Sequence, residues 1–367
     1  MPNLAFRLLK ARVSGRLPDY LQPLCSPSAS NPKSMLSYLS PALLCLALFL
    51  HGCSGSTTVD KPLKYRATGS TPQVLAVYEG WFGHPAHISV GYSSHNPNVI
   101  REQIRHAKQM GISGFVVDWY GDREPFIDRS YQLVQEEAAK QNFKVAMMYD
   151  ETEQDDGATD EAIADFTMFR DTYLSSKAPG HQAYLTYQGR PVIFIFPKGM
   201  HTNWSEVRTA IDKWKPAPLL IYENTPGAYA SSFEGFYAWI NPGPAGWAAN
   251  GSNWGRQYLI HFYQTMKDKY PDKIIVGGAW ALFNDSKASW GLNRHISARC
   301  GQTYSDTFNF WHRFFPADEP IPFMLIETWN DYEEGTAIER GIPSCGAGKP
   351  ATVPLPSAAM LAHPGKQ

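Results

Sequence analysis

Eight short, unbroken apolar runs recur along this chain from about residue 72, each followed by a longer amphipathic stretch. They cover residues 74–79, 114–119, 144–149, 191–196, 219–223, 235–240, 274–279 and 323–328. A run such as Val192-Ile193-Phe194-Ile195-Phe196 does not alternate apolar with polar residues, so both faces of the strand need cover. Parallel strands sheathed in helices meet that demand. The stretches between the runs read as helices over 98–110, 130–141, 160–173, 204–214, 253–270 and 304–314. In the first of these Val99, Ile100, Ile104 and Ala107 fall at helical spacing, and Gly111 stops the helix. Eight such units in about 290 residues fit a single α/β domain, a (β/α)8 TIM barrel. An open doubly wound sheet is the competing arrangement, but no Gly-rich phosphate turn follows the first strand.

A barrel of this kind carries its chemistry at the C-terminal ends of its strands. The residues there are Tyr78-Glu79-Gly80-Trp81, Asp118-Trp119-Tyr120, Tyr149-Asp150-Glu151, Tyr222-Glu223-Asn224, Trp239, Trp280 and Trp329-Asn330-Asp331-Tyr332-Glu333-Glu334. Aromatic rings stack on sugar faces, and paired carboxyls do acid–base work on a glycosidic bond. Taken singly, each has a plainer reading: Asp118 as a loop cap, Glu223 as an ion-pair partner, Trp239 as core. Their convergence on one rim favours a carbohydrate cleft. Asp331 and Glu334 are the expected catalytic pair, with Glu333 and Glu339 as solvated neighbours. Tyr78, Trp81, Asp118, Trp119, Tyr120, Glu151, Tyr222, Glu223, Trp239, Trp280 and Asn330 are the expected lining. His84, His87 and His95 read either as hydroxyl binders or as surface residues.

The 33 basic and 34 acidic residues leave a net charge of -1 without long runs of one sign, which argues against nucleic acid as a partner. Residues 39–50 form an apolar run too short to span a membrane, ending in His51-Gly52-Cys53. This reads as an export signal of lipoprotein form, with Cys53 as the lipidated residue and a buried helix as the alternative. Met35 is an alternative start. The expected divisions are therefore 1–53 signal or pre-sequence, 54–70 linker, 71–342 barrel and 343–367 irregular tail. An exported, cell-envelope or secreted protein follows, with a membrane contact only through the anchor and a monomer as the expected state. Of the five cysteines, Cys300 and Cys345 alone fall outside residues 1–53, an even pair that an oxidising compartment would join or that would otherwise remain as buried thiols. Neither CxxC nor HExxH spacing occurs, so no metal and no cofactor are expected.

Several segments resemble glycoside hydrolase family 99: Gly91-Tyr92-Ser93-Ser94, the run from Gly111 to Gly121, Gly189-Arg190-Pro191-Val192-Ile193-Phe194, and the ending from Trp329 to Glu339. That resemblance spans most of residues 74–340 and implies a (β/α)8 endo-acting α-mannan hydrolase. The family motif reads Asn-Glu-Trp-His-Glu-Gly-Thr. Here Asp331 replaces its first Glu, Tyr332 its Trp and Glu333 its His, while Glu334 matches its second Glu. The Trp-Asn-Asp-Tyr-x-Glu form is similar to the ending of glycoside hydrolase family 71, α-1,3-glucanases. The resemblance implies that Glu334 protonates the leaving oxygen while Asp331 deprotonates the sugar's own 2-hydroxyl, which attacks the anomeric carbon. Asp is one methylene shorter than Glu, and a ~1 Å displacement costs on the order of a hundredfold in rate, so Asp331 reads either as that base or as the group that orients a water in an inverting enzyme. Two other readings stand beside the hydrolase: a non-catalytic glycan-binding barrel, and a glycosyltransferase-like protein of envelope polysaccharide assembly.

Overall fold

The computed structural model describes residues 63–345, apart from 152–156, 199–200, 226 and 243–245. The expected export signal, Cys53 and most of the C-terminal tail lie outside the described residues. Eight parallel strands close on themselves: β1 (Gln73–Tyr78), β2 (Gly114–Trp119), β3 (Lys144–Asp150), β4 (Arg190–Phe196), β5 (Leu219–Glu223), β6 (Gly235–Tyr237), β7 (Ile274–Ala279) and β8 (Phe323–Ile326). Each pairs with the next, and β8 returns to β1 with Phe323 opposite Gln73 and Ile326 opposite Ala76. Outside them lie α1 (Pro97–Gln109), α2 (Pro125–Lys140), α3 (Ala158–Phe169), α4 (Trp204–Ile211), α5 (Arg256–Lys269) and α6 (Gln302–Asn309).

Local chemistry accounts for these boundaries. The Asn96 side chain accepts from the Asn98 N–H at the start of α1, Pro97 fills the first turn, and Gly111 at φ +81° ends the unit. Ile100, Ile104 and Ala107 form the buried stripe of that helix. The sixth strand stops at Tyr237, short of the expected residue 240, because the Trp239 N–H turns to the Tyr258 hydroxyl at 2.9 Å. Two antiparallel pairs were not apparent from the apolar pattern. Thr186–Tyr187 folds onto β4 through a Gln188-Gly189 turn with both residues at positive φ. Phe283–Asn284 pairs with His295–Ile296 in the loop after β7.

The core has two layers. Leu75, Val77, Val116, Ala146, Met148, Val192, Phe194, Ile221, Val276 and Leu325 fill the barrel, and the alternate residues pack outward under the helices. The segment expected to be a linker already packs at residue 63. Leu63 and Tyr65 are buried, the Ala67 N–H donates to the Pro320 carbonyl, and Arg66 pairs with Glu319 at 2.9 Å. Cys300 and Cys345 are joined by a disulfide, which ties the chain beyond the barrel back to the turn before α6. No helix among the described residues is long and apolar enough to cross a membrane.

Candidate active site

Strand parity decides which side chains reach the cleft. Along β1, Leu75 and Val77 point into the barrel, so the next inward residue past the strand is Glu79. The same count leads from Val116 to Asp118, from Met148 to Asp150, from Ile221 to Glu223 and from Leu325 to Glu327. Carboxyls at five strand ends therefore meet over the barrel.

Glu79 is buried and lies within electrostatic reach of Asp118, Asp331, Glu334 and Asp150. Its burial, and then those four charges, hold its carboxyl well above the usual range. Asp118 is pushed up to about 6 by burial, against the opposing pull of Lys198. Lys198 sits 2.7 Å from Asp150 and over the Tyr120 ring. Glu223 is pushed up to about 7 by burial, and Glu327 is raised well above its usual range by burial and by Glu223. Gly278 has its place beside Glu327 because a Cβ there would lie 2.7 Å from Oε1.

The loop after β8 brings in the last two acids and is braced throughout. The Asp331 N–H donates to the Thr328 hydroxyl at 2.7 Å, and the Thr328 and Thr336 hydroxyls meet at 3.0 Å. Asp331 Oδ1 accepts from the backbone N–H groups of Glu333 and Glu334, both at 2.9 Å. This is the fold-back that a short Asp side chain makes on its own turn, and it accounts for Asp at a position where the longer Glu was the comparison. Asp331 is pushed up to about 8 by burial and then by the charge of Glu334, against those two N–H groups. Burial raises Glu334 too, opposed by the Trp290 indole N–H that donates to Oε1 at 2.9 Å, and by Arg294. Asp331 and Glu334 thus each raise the other's tendency to stay protonated, on top of the effect of burial. Glu333 faces away and anchors the loop after β1, accepting from the Ile88 N–H and meeting His87 Nδ1 at 2.8 Å.

Among the expected lining residues, Trp81, Asp118, Tyr120 and Glu223 stand at the rim, and Trp239 packs on Phe196 just inside it. The others are placed elsewhere. Tyr78 points outward to Gln103 on α1, and Trp119 points outward to Asp128 on α2, both by parity. Trp280 is fully buried with its N–H on the Trp254 carbonyl. Tyr222 lies against Phe233 and Trp204, reaching only a side cavity of about 430 Å³ that it shares with Lys198, Glu223 and Tyr258. Glu151 accepts from the Lys198 backbone N–H, and Asn330 clamps the backbone of Glu79. His95 stacks on Phe126, while His87 stacks on Trp81 with centroids 4.9 Å apart. Glu79 and Asp150, read among the strand-end residues but not in the expected lining, stand in the acid cluster, and Lys198, Glu327 and Trp290 join the rim or its floor without having been expected there. Counting inward positions along each apolar run finds Glu79, Asp150 and Glu327; no strand pattern points to Trp290, which sits in a loop. Among the described residues no group of three or more His, Cys, Asp or Glu side chains is arranged to hold a metal ion.

No protein-family model matches the chain, and no curated protein matches it in sequence. Solved structures do. A GH99 endo-alpha-mannosidase from Bacteroides thetaiotaomicron, in complex with bis-tris propane, shares 19% identity over 79% of this chain and 94% of its own, with a TM-score of 0.55. A second structure of that enzyme gives 19% identity over the same shares with a TM-score of 0.54. A glycoside hydrolase-like protein gives 15% identity over 76% of this chain and 90% of its own, also at 0.54. At such identities the likeness concerns architecture: this chain is a (β/α)8 barrel folded like the GH99 endo-alpha-mannosidase.

Proposed function

We propose that the protein is a glycoside hydrolase that cleaves within an α-linked glycan of the α-mannan type, with Glu334 and Asp331 as its acid–base pair. The observation that carries this reading is the pair itself, a buried carboxyl and a half-buried one, both held above their usual range, on one braced loop at the C-terminal rim. The barrel's likeness to an endo-alpha-mannosidase supports it.

Glu334 gives its proton to the glycosidic oxygen as the bond to the anomeric carbon breaks. Asp331 takes the proton of the sugar's 2-hydroxyl, whose oxygen closes on that carbon to form a 1,2-anhydro sugar. Water then opens the ring, with Glu334 taking a proton from the water and Asp331 returning one to the 2-oxygen. The scheme needs Glu334 protonated and Asp331 ionised when the sugar arrives. The two backbone N–H groups on Asp331 Oδ1 favour its ionised form at that moment, and the Trp290 N–H on Oε1 leaves Oε2 of Glu334 to carry the proton. We also propose export with lipidation at Cys53, a reading supported by the Cys300–Cys345 disulfide.

The test uses α-mannan and α-glucan oligosaccharides with the wild type, Glu334→Gln and Asp331→Asn. Asn at 331 keeps an oxygen that can accept the two backbone N–H groups, so it separates proton transfer from loop bracing. Each variant should lose about 10²–10⁴-fold in kcat while keeping its fold. Binding without cleavage by the wild type would replace the hydrolase reading with that of a glycan-binding barrel.

A further inference from the structure

We propose that Trp290 forms a subsite for the sugar on the leaving-group side of the scissile bond, stacking that sugar and orienting Glu334 at the same time. The inference rests on the hydrolase reading of the site. Trp290 and Leu292 are the exposed large apolar residues among the described residues, at 45% and 74%, and both sit in the loop between Phe283–Asn284 and His295–Ile296. A tryptophan left in water forgoes the stabilisation of burial, so what holds it out matters.

The loop is built to hold it. Asp285 is fully buried and accepts from the backbone N–H groups of Leu292 and Arg294 and from the Arg294 guanidinium at 2.7 Å. The Arg294 guanidinium in turn lies 5.1 Å from the Phe283 ring centroid. The Asn284 N–H donates to the Glu334 carbonyl at 2.7 Å, so the Trp290 loop and the acid's loop are joined backbone to backbone.

Beside Trp290 the cleft wall is aromatic. Trp81 and His87 stand nearly perpendicular to it, each with centroids 6.2 Å away, and nearly half of the Trp290 surface stays exposed. Trp81 is itself buried, yet among the described residues its indole N–H has no partner, a donor available to a sugar hydroxyl in that corner. Glu334 gives its proton to the glycosidic oxygen, and Trp290, hydrogen-bonded to that same carboxyl at 2.9 Å, is placed to meet the sugar attached beyond that oxygen.

The test compares an oligosaccharide with the matching α-glycosyl fluoride, which has no sugar on the leaving side, using the wild type, Trp290→Phe and Trp290→Ala. Trp290→Ala should lose on the order of 10–100-fold in kcat/KM on the oligosaccharide and at least about tenfold less on the fluoride, because only the first substrate uses the subsite. Trp290→Phe should keep KM near the wild-type value and move the alkaline limb of the pH profile upward, since the N–H that favours ionised Glu334 is gone. Equal losses on the two substrates with Trp290→Ala, or an oligosaccharide KM that does not rise, would overturn the subsite while leaving the hydrolase reading in place. Oligosaccharide binding to Glu334→Gln, measured calorimetrically with and without Trp290→Ala, covers a wild type that cleaves neither substrate. Binding lost with Trp290 would then keep Trp290 as a sugar-stacking residue but end the hydrolase reading and with it the leaving-side assignment, and binding unchanged by Trp290→Ala, or no binding at all, would overturn the subsite.

Discussion

The side-chain amide of Asn330 is bonded to both backbone groups of Glu79: Oδ1 accepts the Glu79 N–H at 2.8 Å and Nδ2 donates to its carbonyl at 3.0 Å. The amide thus extends the β1–β8 pairing by one residue past the strands and fixes where the Glu79 carboxyl points. Asn330→Ala leaves two buried backbone groups without partners, which costs about 2–4 kcal/mol in unfolding free energy. Asn330→Asp keeps the bond from the Glu79 N–H but sets a second oxygen against the Glu79 carbonyl in a fully buried site beside other acids, so it should lose at least as much. Denaturant midpoints should fall in both variants, with glycan cleavage falling too.

Asp331 is pushed up to about 8 from its ordinary 3.8, chiefly by burial. Between those values the folded chain holds a proton that the unfolded chain has released, so this group lowers stability as pH rises from about 4 towards 8. Asp331→Asn removes the titration. Relative to wild type the variant should therefore gain stability from pH 5 to pH 8 in urea unfolding. A difference that stays constant across that range would count against a raised Asp331. As the proposed base Asp331 has to be ionised, so cleavage by the wild type should rise as pH approaches about 8.

Trp119 and Trp81 lie close in sequence space as rim aromatics but face opposite ways. Trp119→Ala empties a fully buried site under α2, at about 3–5 kcal/mol, and should leave the KM of the folded enzyme unchanged. Trp81→Ala should raise KM. Kinetics at a temperature where both remain folded distinguishes the two.

The disulfide between Cys300 and Cys345 closes a span of 45 residues. Restricting the unfolded chain over that length is worth on the order of 4 kcal/mol, so Cys300→Ala with Cys345→Ala should show a correspondingly lower unfolding free energy. The same double variant should cleave glycans as the wild type does, because the acids are held by the loop after β8.

Much of this was legible in the chain. The strands 114–119, 219–223 and 274–279 coincide with their apolar runs, since unbroken β-branched and aromatic residues have no other way to be covered on both faces. The rim was legible as a region but not side chain by side chain. Tyr78, Trp119 and Tyr222 look like sugar platforms by residue type, and alternation along the strand turns each one outward. Trp280 escapes even that rule, because past the end of β7 its ring turns to the Trp254 carbonyl. Trp290 and Lys198 come from loops, where side-chain direction depends on long-range hydrogen bonds such as those of Asp285 and Glu151.

Because the cleft is written in alternate positions, its vulnerability differs by type of change. A substitution at Glu79, Asp118 or Asp150 alters one group and leaves the rest in place. Deleting a single residue within β2 would turn Trp119 inward and carry Asp118 out beneath a helix, exchanging an acid for a ring without altering the composition of the rim. The chemistry of such a barrel can drift by replacement along its strands, whereas gains and losses of length are confined to loops like the one that carries Trp290.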